Sequence, residues 1–207
     1  MESIFSKHIL KFLLISLIIS SYTFSTSAVR SVRSAPPKTS TDFIRRSCRA
    51  TTYPRLCYNS LSIHASKIQT SPQLLAGTAL NVTLSSAKTT SNMLLNLSLS
   101  HGLKPREAAA MKDCVEELSE SVDELRDSIG EMNKFNKGRN YNFKIMINDI
   151  QTWVSAALTD ENTCSDGFLG HTMNGKLKAV VRSQIVNVAQ LTSNALALIN
   201  KYALIHG

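Results

Sequence analysis

Residues 105–130 read PREAAAMKDCVEELSESVDELRDSIG, and this stretch decides the fold. Pro105 sits where a first helical turn tolerates a residue that lacks an amide donor. Ala108, Met111, Val115, Leu118, Val122, Leu125 and Ile129 then recur at alternating steps of three and four, the spacing of an apolar seam in a left-handed bundle. Gly130 supplies a stop. Advancing each residue by about 100° places Asp113, Glu116, Glu117, Glu120, Asp123, Glu124 and Asp127 away from that seam. The segment is therefore a helix with a negative outer face, on a chain whose formal net charge is +8.

Upstream, Gly102 ends a hydroxyl-rich helix that begins at Ser71-Pro72, a capping hydroxyl followed by a first-turn proline. Leu75, Ala79, Val82, Ser86, Thr89, Met93 and Leu97 keep near-helical spacing there, although the many Ser and Thr residues lower its helix propensity. Downstream, residues 133–142 form a polar connector containing Gly138. A further helix follows with Phe143, Ile147, Ile150, Val154, Ala157 and Leu158 on one face and Met146 and Trp153 beside it, Trp153 reading as a core anchor. Residues 159–175 read as a loop holding Cys164, with Asp166-Gly167 and Asn174-Gly175 as turn signals. The last helix carries Val181, Ile185, Val188, Thr192, Ala195, Ile199 and Tyr202 between about residues 176 and 204. Four long amphipathic helices with short connectors give antiparallel neighbours. The expected fold is all-α: an up-and-down four-helix bundle over residues 71–204, with an N-terminal helical hairpin over about 41–68. In that hairpin Asp42 is a capping residue, and Phe43, Ile44, Cys48, Leu56, Leu61 and Ala65 supply apolar faces on either side of a Tyr53-Pro54 turn.

The chain opens with Lys7 and Lys11 around an apolar run from Ile9 to Ile19 and reaches Thr26-Ser27-Ala28, the pattern of a cleavable secretory signal over residues 1–28. The run falls short of the roughly 20 apolar residues a spanning helix needs. Residues 29–40, with Arg30, Arg33, Pro36, Pro37 and Lys38, read as a flexible basic tail, and residues 41–205 as one domain. Loss of Lys7, Lys11 and Glu2 with the leader leaves a basic, exported protein that will associate with polyanions such as an acidic polysaccharide. Dispersed positive charge and few aromatics argue against nucleic acid, and nothing beyond the leader addresses a membrane.

An even count of four cysteines in an oxidising compartment argues for two bridges among three connectivities. Cys48 and Cys57 flank the Tyr53-Pro54 turn and can close a small local loop. That leaves Cys114 with Cys164, a closure of about 50 residues worth roughly 4 kcal/mol on the chain-entropy view. No Cys-x-x-Cys or His-x-x-x-His spacing indicates a metal, and no cofactor is implied. His64, His101, His171 and His206 are isolated, without the partners that nucleophilic or di-metal chemistry requires. A lipid or small-ligand carrier is disfavoured by the large residues that fill the core faces; a signalling bundle is compatible with the scaffold alone. Asn81-Val82-Thr83 and Asn96-Leu97-Ser98 are glycosylation acceptors wherever they are exposed.

The stretches Phe43-Ile44-Arg45-Arg46-Ser47-Cys48 with Tyr53-Pro54 and Cys57, Met111-Lys112-Asp113-Cys114 with Leu118, and residues 152–159 (TWVSAALT) with Thr163-Cys164 occur in that order, followed by residues 191–198 (LTSNALAL). Together they resemble the plant invertase and pectin methylesterase inhibitor family over nearly all of residues 40–205. The resemblance implies a hairpin-bearing four-helix bundle, bridges Cys48–Cys57 and Cys114–Cys164, and no catalysis. It also implies secretion to the apoplast or cell wall and a reversible one-to-one complex with a carbohydrate-active enzyme. Invertase inhibitors of this type tend to carry Pro-Lys-Phe just upstream of the third cysteine. Here the place reads Lys104-Pro105-Arg106-Glu107, a departure that favours pectin methylesterase over acid invertase as the target. In that branch the resemblance suggests that the bundle lies across the enzyme's substrate cleft, using residues 72–99 and 105–130. Expected contacts are Glu116, Glu120, Asp123 and Asp127, an outward strip at turn-by-turn spacing, with Thr89 and Thr90 adding hydrogen bonds.

Overall fold

A computed structural model of the protein describes residues 38–100, 102–135, 142–169 and 175–206. The expected leader, the tail up to residue 37, the connector around Gly138, and His101 and His171 lie outside the described residues. The described elements are α1 (Lys38–Cys48), α2 (Pro54–Ser62), α3 (Ala65–Ile68), α4 (Pro72–Ser98), α5 (Pro105–Phe135), α6 (Phe143–Gly167) and α7 (Lys176–His206).

The long helices start where the chain supplies acceptors for free amides. The Ser71 hydroxyl accepts from the Leu74 amide at 3.2 Å, ahead of Pro72. The Asn142 side chain accepts from the Lys144 amide at 3.0 Å. Glu107 reaches back to accept from the Lys104 amide at 3.0 Å, half of a capping box. The four helices pack in a ring in which α4 touches α5 and α7, and α6 touches α5 and α7. Cross-links fix the directions: Cys114 near the start of α5 bonds Cys164 near the end of α6, and Gln151 of α6 donates to Asn200 of α7 at 2.7 Å. Each neighbour in the ring is therefore antiparallel, as short connectors require. The hairpin α1–α3 lies on α4 and α7. Its Cys48–Cys57 bridge holds the end of α1 to α2, and Asn194 of α7 clamps its turn, accepting from the Tyr53 amide and donating to the Tyr53 carbonyl, both at 3.0 Å.

Several boundaries differ from the sequence reading. α1 begins at Lys38, so residues 38–40 are helical and Asp42 lies inside the helix rather than capping it; Ser40, Ile44 and Cys48, one turn apart, bury a common face. The second half of the hairpin is split between α2 and α3, and Gln69, with φ of 53°, turns the chain out of α3. α5 runs through Gly130 to Phe135 because Glu131 and Met132 are buried beyond it. α6 continues to Gly167, so Cys164 is helical and the expected 159–175 loop is reduced to the residues after Gly167. Its buried stripe of Ile150, Val154, Ala157, Glu161 and Cys164, closed by Phe168, carries straight through the polar residues that looked like a turn. Trp153 flanks this stripe, half-buried, and is no core anchor; Ala108 is exposed. In α4 the buried face is Ala76, Ala79, Leu80, Thr83, Ala87, Thr90 and Leu94, one position away from the expected stripe beyond Ala79. Hydroxyls allow this shift because a buried Thr can satisfy itself, as Thr83 does by donating to the Ala79 carbonyl at 2.9 Å.

The interior holds two apolar clusters. One joins the hairpin (Ile44, Leu61, Ile68) to the near half of the bundle; the other surrounds the Cys114–Cys164 bridge with Leu94, Met111, Leu118, Phe168 and Ile185. Thr90, Ser121 and Glu161 sit where the clusters meet.

Candidate functional site

The surface singled out by the sequence lies on α5. Steps of four, three and four along one helix bring Glu116, Glu120, Asp123 and Asp127 to a common side, and all four are exposed. Arg126 pairs with Asp123, an exposed contact of little energetic weight. The strip thus offers a row of solvated carboxylates on a rigid rod.

A second row lies inward of it, and the sequence reading placed two of its members, Glu117 and Glu124, on the solvated side. Both are half-buried against α6. Glu124 faces Asp160 across the α5–α6 seam, and Oε2 of Glu124 and Oδ2 of Asp160 are buried without a hydrogen-bond partner. Burial, together with the negative charge of Asp160, Glu120 and Glu161, pushes the Glu124 carboxyl up to about 8. Burial likewise raises Asp160 and Glu117 above the ordinary carboxylate range, with Asp160 and Glu120 adding repulsion at Glu117. Deepest is Glu161, fully buried, whose Oε1 accepts from the hydroxyls of Ser121 and Thr192, each at 2.8 Å. Its Oε2 has no hydrogen-bond partner. Burial pushes this carboxyl up to about 8, against the two hydroxyls, which favour the ionised form. Near neutrality this seam holds protons that ordinary carboxyls would have lost.

Glu117, Glu120 and Asp160 bring three carboxylate oxygens within 4.8 Å of one another. The donor type suits a hard cation, but the proton uptake just described relieves the same repulsion without one.

Thr89 and Thr90 do not join this strip. Thr90 is buried, 3% exposed, and lines the floor of a groove beside Thr89. Thr89 is exposed but donates its hydroxyl to the Ser85 carbonyl at 2.9 Å. It borders a groove of about 570 Å³ between the hairpin, α4 and α7, lined by residues such as Ile63, His64, Ser86 and Gln184, and by none from α5. Asn81 and Asn96 are exposed, and Asn81 donates to the Gly77 carbonyl at 2.6 Å on the edge of that groove. His206 packs edge-on against Phe143 and Tyr202 at the far end of α7.

Asp160 and Glu161 were missed because the sequence reading ended the helix at Leu158. Extending the spacing of Ile150, Val154 and Ala157 by one step lands on Glu161, a carboxylate in an apolar register, and that was the available signal.

The family described as plant invertase/pectin methylesterase inhibitor matches residues 42–198. Among curated proteins, the chain is 48% identical to Pectinesterase inhibitor 11 of Arabidopsis thaliana over 189 residues, covering 88% of this chain and 93% of that one. It is 47% identical to a 21 kDa protein of Daucus carota over 164 residues, covering 79% and 85% respectively. The fold matches the crystal structure of a mutant form of a pectin methylesterase inhibitor from Arabidopsis with a TM-score of 0.61 at 23% identity, over 74% of this chain and 92% of that one.

Proposed function

Since the chain belongs to the plant invertase/pectin methylesterase inhibitor family, we propose that it is a secreted inhibitor of pectin methylesterase that acts by forming a reversible one-to-one complex and occluding the enzyme's pectin-binding cleft. It is an inhibitor and not an enzyme. The observation that carries this reading is the 48% identity, sustained over 93% of its length, to a protein named as a pectinesterase inhibitor. The structure supports it physically. A bundle tied by Cys114–Cys164 and a hairpin tied by Cys48–Cys57 present a preformed surface, so little conformational entropy is lost on docking.

On this reading the exposed strip Glu116, Glu120, Asp123 and Asp127 faces basic groups around a cleft that ordinarily receives a polyanion. The extracellular wall is the site of action, and no described helix is long and apolar enough to cross a membrane. Asn81 and Asn96 are surface positions at which a glycan could be carried. Acidic pectin is a secondary associate on grounds of charge.

The test adds the oxidised protein to purified pectin methylesterase and, separately, to acid invertase, and reads residual activity at acidic and neutral pH. Saturable loss of esterase activity at one-to-one stoichiometry, with invertase untouched, is the expected result. Loss of invertase activity alone assigns the other branch of the family.

A further inference from the structure

The acidic residues are distributed very unevenly. From Phe43 to Arg106 the chain contains no Asp or Glu, and none follows Asp166. All carboxylates of the bundle therefore lie on or beside α5 and α6, which are neighbours in the ring, while the hairpin, α4 and α7 form the opposite side and carry basic residues. Within that basic half, charge gathers at one turn. Arg45 and Arg46 occupy the last turn of α1, Arg49 follows it, and Arg55 is in the first turn of α2. All four are exposed, and none forms an ion pair among the described residues.

The turn that carries them is stiff. The Cys48–Cys57 bridge brings the two helix ends to a Cα–Cα distance of 5.6 Å. The Arg45 guanidinium lies 4.5 Å above the Tyr58 ring and donates to the Tyr58 hydroxyl at 2.9 Å. On the other side, Asn194 of α7 holds Tyr53 through both its backbone groups. Four guanidinium groups, against Asp42 as the single carboxylate of residues 38–68, one helical turn before Arg45 and Arg46, keep a net positive charge on a base fixed covalently and by hydrogen bonds, and make a surface suited to an anion of extended shape.

We propose that this arginine-bearing turn is a second binding surface, specific for a linear carboxylated polysaccharide of the polyuronate class, separate from the acidic strip that faces the enzyme. The planar guanidinium fork matches a carboxylate in a two-point contact that a lysine cannot make, and a polyuronate repeats that carboxylate along its length. The choice of polyuronate over other polyanions rests on the inhibitor reading, since hydrolysis of methyl esters on pectin leaves carboxylates as its polymeric product. Single-stranded nucleic acid would need aromatic platforms for its bases, and of the two tyrosines at the turn, Tyr58 is already covered by Arg45. The protein would then rest on demethylated polymer by one side while its opposite side engages the enzyme.

The experiment measures binding of the oxidised protein to de-esterified polygalacturonate, fully methyl-esterified pectin, single-stranded DNA and anionic lipid vesicles by titration calorimetry, with no enzyme present. The variants are Arg46→Gln/Arg49→Gln/Arg55→Gln, which spares the packed Arg45, and the charge-matched control Lys88→Gln/Lys176→Gln/Lys201→Gln, whose residues are exposed on α4 and α7. The expected result is salt-sensitive binding to polygalacturonate alone, at least about tenfold weaker in the arginine variant and close to unchanged in the lysine control. Equal loss in both variants, equal binding to esterified pectin, or equal binding to DNA or vesicles would overturn the proposal. Calorimetric affinity for pectin methylesterase, measured without polymer, is expected to be the same in the arginine variant and the parent. Failure of the parent to bind the enzyme refutes the inhibitor reading and leaves the polygalacturonate result to be judged separately.

Discussion

Glu161 occupies a position in α6 where the register calls for an aliphatic side chain, and its environment sets a sign for the pH dependence of stability. Its folded-state carboxyl is pushed up to about 8, from an ordinary 4.5, by burial. A raised carboxyl favours the folded state fully only below the ordinary value. Stability then declines as pH climbs from about 4.5 towards 8, because the unfolded chain sheds a proton that the fold retains. Glu124 contributes in the same direction, as do Asp160 and Glu117 to a smaller extent, with Glu120 adding repulsion from the surface and α7 presenting only the Thr192 hydroxyl. For a fully buried group such a shift corresponds to several kcal/mol. Glu161→Gln removes the charge and keeps the shape. The gap in melting temperature between pH 5 and pH 8 is expected to narrow clearly in this variant, mostly through a gain at pH 8. A gap of unchanged width would place the titration elsewhere. The residue was hidden from the sequence reading because Thr159, Asp160, Asn162 and the Asp166-Gly167 pair are all turn formers. Local composition there signals a turn, while the apolar periodicity of the helix continues through it.

At the level of elements, the sequence located every long helix of the bundle and misjudged where two of them, α5 and α6, end. Pro72 and Pro105 were dependable starts, because a residue without an amide donor suits the first turn and few other places. Gly130 was a poor stop, because a glycine inside a helix costs only about 1 kcal/mol and burial of Met132 beyond it outweighs that. A Cβ at Gly130 would meet nothing within 4 Å, and its φ is not positive. Gly130→Ala is accordingly expected to stabilise the protein by about 0.5–1 kcal/mol in urea unfolding; a destabilised variant would contradict the helical assignment there. The α4 stripe slipped by one position because Ser and Thr do not declare a side, and this turned Thr90 from an expected contact into a core residue. The α5 strip, by contrast, could be read because its charges repeat with the helix. Replacing Glu120 and Asp123 by Lys, with helix content unchanged by circular dichroism, is expected to weaken binding to pectin methylesterase by at least about tenfold. Undiminished affinity would remove the strip from the interface.

At the scale of the whole molecule, the expected class and topology hold, with both disulfides joining the cysteines in the expected pairs. The polarity of the molecule was not legible in one dimension. A list of charges shows an excess of 8, but only the ring order of the helices shows that the negative residues share one flank. The buried Ser121–Glu161–Thr192 contact belongs to the same scale, since it links α5, α6 and α7, and it sits seven residues along α5 and three along α6 from Cys114 and Cys164. Sliding α6 along α5 by a heptad would separate the carboxyl from its hydroxyls and the two sulfurs from each other in one movement. The buried contact and the bridge therefore require one and the same alignment of α5 and α6. Ser121→Ala/Thr192→Ala, refolded from the reduced chain, is expected to yield a larger share of scrambled isomers on peptide mapping, while a share equal to that of the parent would show that the sulfurs find one another unaided.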